Sequence, residues 1–72
     1  MNTFYWDFFG PRAELTARHF QKHLEQFLSQ NALGGCETGV ESGERGHYAA
    51  FCRAPREYHD SLVSALKPQR ML

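Results

Sequence analysis

Seventy-two residues are enough for one domain, and a domain this small buries only about 60 % of its unfolded surface, so it gains from a staple, a metal or a partner chain. Eight basic and eight acidic residues cancel, which removes the electrostatic footprint of a phosphate binder and makes nucleic acid an unlikely partner. Hydrophobic content of 42 % with 14 % aromatic describes a packed globule rather than a disordered chain.

No apolar run approaches the ~20 residues of a membrane span, so no membrane partner is expected. The N-terminal residues lack a basic region followed by an apolar stretch and a small-residue cleavage site, and the expected location is cytoplasmic. Cys36 and Cys52 are too few for a secreted disulfide framework. In a reducing compartment they are expected to be thiols, acting as small buried apolar residues.

Five of the ten aromatic residues fall within Phe4–Phe9. Residues 3–9 alternate between two faces and predict a strand. Phe4, Trp6 and Phe8 share one face; Thr3, Tyr5, Asp7 and Phe9 share the other. Only the second face carries a charge, so the first is the expected core face. Gly10 ends the strand. Pro11 suits the first helical position, where its missing N–H is no loss.

A helix is predicted from there to about Ala32. Ala13, Ala17, Phe20, Leu24, Phe27 and Leu28 form its apolar stripe at 3.6-residue spacing. Leu15 falls off the stripe. Glu14 and Arg18, four apart with the acid first, suit a surface pair. Gly34-Gly35 is read as the left-handed stop.

Residues 36–42 and 47–53 read as a hairpin around Gly43-Glu44-Arg45-Gly46. With Gly46 left-handed in a three-residue loop, even residues face even residues. Cys36, Thr38, Val40, Tyr48, Ala50 and Cys52 then line the core face. Glu37, Gly39, Glu41, His47, Ala49, Phe51 and Arg53 line the opposite one. A second helix is predicted from Pro55 to Leu66, burying Tyr58, Leu62, Ala65 and Leu66, with Lys67 suited to the helix dipole and Pro68 as the stop. Residues 69–72 are left as a short edge strand or a frayed tail.

The order βαββα predicts an α+β two-layer sandwich, with two helices on one face of a three-stranded sheet, ferredoxin-like or a truncated relative. The uncovered face then gathers Tyr5, Asp7, Phe9, Glu37, Glu41, His47, Phe51 and Arg53. Large aromatics among charges mark an interaction surface. The leading functional reading is a small interaction or regulatory module that forms a homodimer or binds a protein partner through this face. In that reading Phe9, Phe51 and Tyr5 anchor the contact, and Arg53 meets Glu37 or Glu41 of the partner. Aromatics at Tyr5 and Phe51 also occupy positions where RNA-recognition domains stack bases. Against that stand the missing consensus at residues 46–53 and the acids Asp7, Glu37 and Glu41.

No catalytic or cofactor signature is present, so no catalytic residue and no cofactor is assigned. The competing class is a small enzyme or small-molecule binder at the same face or at a dimer interface, using His47 and Asp7. The third is a metal binder through His19 and His23, four apart on the first helix. His59 and Asp60 are sequence neighbours and are expected to diverge. Neither cysteine sits in a Cys-x-x-Cys pair or at a helix N-terminus, so thiol catalysis is not expected.

Overall fold

Phe4, Trp6 and Phe8 settle which side of the first strand meets the helices. In the computed structural model, which describes all 72 residues, β1 spans Asn2–Phe9 and is followed by helix α1, Ala13–Gln30. The hairpin is β2, Glu37–Ser42, and β3, His47–Ala54. A 3₁₀ turn at Arg56–Tyr58 leads into α2, His59–Leu66, and the chain closes with β4, Arg70–Met71. The predicted α+β class holds. The sheet, however, has four strands rather than three, ordered β2-β3-β1-β4, with every neighbouring pair antiparallel. β3 lies between β1 and β2, so those two run in the same direction.

One hydrophobic core lies between the sheet and the helices. Phe4, Trp6, Ala50, Cys52 and Ala54 from the sheet meet Leu24 and Leu28 of α1 and Leu62 of α2. Phe4, Leu24 and Leu62 are fully buried, each worth roughly 1.5–3 kcal/mol of transfer free energy. Ala13 and Ala17 are also buried; their short side chains let the start of α1 lie close to the sheet. Phe20 packs between Trp6 and Phe8, with ring centroids 5.0 and 5.8 Å away. The Trp6 indole N–H donates to the Leu66 carbonyl at 2.8 Å. It thereby satisfies a carbonyl in the last turn of α2, a group that has no partner within the helix.

Three local expectations change. The left-handed residue that ends α1 is Ala32, at φ 55°, not a glycine. Leu33 N–H reaches back to the Leu28 carbonyl at 2.9 Å, and Leu33 packs on the core. This is the helix stop in which an apolar residue just beyond the left-handed position seals the end. Second, α2 begins at His59 after the 3₁₀ turn, because Pro55 is extended at ψ 146°. Third, Ala65 is exposed; with eight residues, α2 buries one line centred on Leu62 rather than a full stripe.

The hairpin register pairs even with even and odd with odd residues, from Glu37↔Arg53 to Ser42↔Tyr48. Gly46 turns at φ 78°, and the His47 N–H donates to the Glu44 carbonyl at 2.9 Å. β4 is held more firmly than its length suggests. Thr3 and Leu72 exchange two backbone hydrogen bonds, at 2.9 and 2.8 Å, and Gln69 N–H donates to the Tyr5 carbonyl at 2.9 Å.

Candidate interaction site

The period-two alternation of β1 sends Tyr5, Asp7 and Phe9 to the side away from the helices. Their direct cross-strand partners are Phe51, Ala49 and His47. β4 brings Arg70 opposite Tyr5. The face therefore assembles from β1, β3 and β4, with β2 at its far edge.

Asp7 is the hub. Its side chain is only 10 % exposed. Arg70 grips it with two hydrogen bonds, Nε to Oδ2 at 2.7 Å and Nη2 to Oδ1 at 2.6 Å. The His47 Nε2–H donates to Oδ1 at 2.8 Å, a direction fixed because a carboxylate only accepts. The Asp7 backbone N–H donates to the Gln69 side-chain carbonyl at 3.0 Å. The forked Arg70 bond is the main reason the Asp7 carboxyl is lowered from 3.8 to about 2; the His47 bond adds to it and partial burial opposes it. The same bond holds the Arg70 guanidinium still more firmly protonated.

Aromatic rings close over this cluster. Arg70 lies 4.5 Å above the Tyr5 ring, and Tyr5 meets Phe51 at 6.3 Å. Tyr5 is consequently only 9 % exposed. Phe51 in turn covers Gly39, its cross-strand partner on β2; a Cβ at Gly39 would fall 2.6 Å from the Phe51 ring. An aromatic ring laid over a strand glycine restores packing that the glycine lacks. Phe9 stacks on His47 at 4.8 Å and 26°, yet remains 76 % exposed. The His47 ring also lies against Gly43, where a side chain would overlap it.

The eight residues assigned to this face do not act as one patch. Asp7 and His47 join in the half-buried polar cluster. Tyr5 and Phe51 pack within the face, and Phe9 alone projects from it. Glu37 and Arg53 form a cross-strand ion pair within the chain, so this arginine is already paired without a partner chain. Glu41 is exposed and makes no ion pair. Sequence reasoning missed Gln69 and Arg70. The signal was a lone aspartate in an aromatic strand, which calls for a cation, together with an arginine in a tail already suspected of being a strand.

Beside Phe9 lies a shallow hollow of about 630 Å³, lined by Asp7, Gly43, Glu44, Arg45, His47 and Arg70. It is open and lined mainly by polar residues, and Arg45 enters no ion pair. Its chemistry is that of a charged rim rather than an enclosed pocket.

The other candidates are simpler. His19 and His23 meet, with Nε2 atoms 3.1 Å apart and rings edge-on. No third His, Cys, Asp or Glu joins them. His59 and Asp60 do contact each other, at 3.0 Å, at the start of α2. Cys36 and Cys52 are free thiols. Burial pushes Cys52 up to about 12 and raises Cys36 as well, which suppresses the nucleophilic thiolate. No helix is long and apolar enough to cross a membrane. No protein-family model, curated protein or solved structure matches the chain.

Proposed function

We propose that this chain is a small interaction module that binds a second copy of itself across the open face of its sheet. The observation that carries this reading is Phe9, a large ring 76 % exposed on a rigid, internally paired surface. Asp7, Arg70 and His47 already bond to one another, so covering them costs less than burying unpaired charges. Leu72, opposite Thr3, supplies a second exposed apolar residue at the far end of the same face. A two-fold axis across the strands would lay Phe9 of each copy over the Leu72 end of the other, the self-complementarity a symmetric pair requires. The mixed charge of the face supports the same reading.

Two finer points belong to this proposal. The order β2-β3-β1-β4, with β3 inserted between two strands of like direction, supports a ferredoxin-like relationship. Two free thiols support a reducing location such as the cytoplasm.

Burying Phe9 from both copies contributes roughly 3–4 kcal/mol. Phe9→Ala therefore weakens association about 100-fold or more while leaving the monomer folded. Sedimentation equilibrium measures this directly. A wild-type chain that stays monomeric at high micromolar concentration overturns the proposal. The second reading, a small-molecule site in the hollow at Asp7, His47 and Arg45, rests on the Asp7–His47 hydrogen bond at its wall. Melting that responds to small molecules but not to protein concentration selects it over self-association.

A further inference from the structure

The sheet has two edges, and the chain protects them unequally. Just before β4 begins, the Gln69 side chain caps the Asp7 N–H of β1. β2, at the other edge, pairs only with β3. The Gly43 N–H donates to the His47 carbonyl, which sets the phase of the ladder. Because bonded and non-bonded pairs alternate in an antiparallel ladder, Glu37, Gly39 and Glu41 turn their backbone groups toward β3. Thr38, Val40 and Ser42 turn theirs outward. No turn, loop or cap hydrogen bond reaches these three backbones. β2 also lacks the proline, lysine or bulge that usually blunts an edge.

The flanks of this edge are acidic. Glu37 and Glu41 lie on the open-face side. On the helix side, Glu25 accepts a hydrogen bond from the Thr38 hydroxyl at 3.2 Å. Glu25 and Glu41 make no ion pair, and Glu37 pairs only with Arg53. Lys22 stands about one turn earlier on α1, in a surface hollow it shares with Glu25. Where β2 begins, a hollow of about 410 Å³ opens between it and α1, walled by Leu28, Leu33, Cys36 and Thr38. It is large enough for one aliphatic side chain.

We infer that the β2 edge accepts a basic, extended peptide as a fifth strand, with Lys or Arg on alternate residues facing Glu37 and Glu41 and an apolar residue entering the hollow at Leu28 and Leu33. Main-chain hydrogen bonds to Thr38, Val40 and Ser42 supply the affinity, and the flanking side chains supply the selectivity. A second copy of this chain is a poor occupant. Antiparallel pairing of two β2 edges sets Glu37 and Glu41 of one copy opposite or diagonal to those of the other, and like charges so placed are destabilising. This edge borders the Phe9 face and shares Glu37 and Glu41 with it; its readout, the outward-facing Thr38, Val40 and Ser42 amides, distinguishes strand addition from self-association across that face.

The test is an NMR titration of the whole chain with a short acetylated peptide alternating Lys and Val, and with its Glu-Val counterpart. The Lys-Val peptide is expected to shift the Thr38, Val40 and Ser42 amides with saturation. Glu41→Lys is expected to weaken binding about 10-fold, the size of one reversed surface charge pair. Val40→Pro is expected to abolish binding; its N–H points outward, and an edge strand tolerates proline there. Where that variant loses stability, Glu41→Lys, an exposed surface change, carries the test alone. Four results overturn the inference: equal binding of the Glu-Val peptide; shifts centred on Tyr5 and Phe9 instead; no saturable binding below about 1 mM; or movement of the same amides on dilution without peptide, which would identify a second copy as the occupant.

Discussion

Replacing Asp7 by Asn tests the polar cluster at its hub. The carboxyl titrates near 2 in the folded chain, against an ordinary 3.8, and each tenfold change in proton affinity corresponds to about 1.4 kcal/mol. The upper limit on the coupling is therefore about 2.5 kcal/mol. Arg70 is half exposed, and solvent screening reduces this to roughly 1.5 kcal/mol. The sign follows from the lowered value. The unfolded chain takes up the proton first as pH falls, so the stabilisation is complete above about pH 4 and fades as pH drops through 2.

Wild type and Asp7→Asn should accordingly differ most at neutral pH, and the gap should narrow steadily between pH 4 and 2. Urea unfolding followed by fluorescence of Trp6, the single tryptophan, measures both curves. A companion experiment follows the Asp7 carboxyl by NMR in Arg70→Gln, where its titration should return most of the way toward 3.8. A gap that is absent, or that stays constant across this range, refutes the assignment of Asp7 as a charge held by Arg70.

Three further substitutions probe the frame around the site. Trp6→Ala removes a large buried ring and the hydrogen bond to Leu66; the loss of roughly 3–5 kcal/mol rivals the whole stability of so small a domain, and far-ultraviolet circular dichroism should show an unfolded chain. Gly39→Ala places a Cβ 2.6 Å from the Phe51 ring and should lower stability by about 1 kcal/mol despite the better strand propensity of alanine; a more stable variant in urea would show that the ring is not seated there. Ala32→Gly relieves the left-handed residue at φ 55° and should raise the midpoint of thermal unfolding, by about 1 kcal/mol in stability, whereas a drop would mean that α1 ends otherwise.

The sequence was most legible where one face of an element is apolar. Phe4, Trp6 and Phe8 announce the inner side of β1, and the even residues of the hairpin do the same for β2 and β3, because a one-residue slip would carry Ala50 and Cys52 into solvent. It was least legible where position depends on contacts distant in sequence. Two residues cannot display a period, so β4 was invisible as a pattern; it exists because Thr3 and Leu72 exchange hydrogen bonds across the sheet. Arg70 and the burial of Tyr5 follow from that pairing. Gly34-Gly35 drew attention from Ala32 for a related reason. The end of α1 is decided by Leu33 reaching the core, and that contact outweighs the strain of a left-handed alanine.

Phe9 has two physical roles that predict different behaviour. As a lid, its stack on His47 contributes about 0.5–1.5 kcal/mol and shelters the His47–Asp7 bond from water. Phe9→Ala would then destabilise the monomer and move the Asp7 titration toward 3.8. As a docking anchor, Phe9 contributes mainly through the surface it still presents, and the same substitution weakens association while leaving that titration in place. The geometry favours the second role. Arg70, not His47, is the main influence on the Asp7 carboxyl, so stripping the ring from His47 disturbs the weaker of its two partners. Most of the ring faces solvent, where a lid gains little and a second chain gains most.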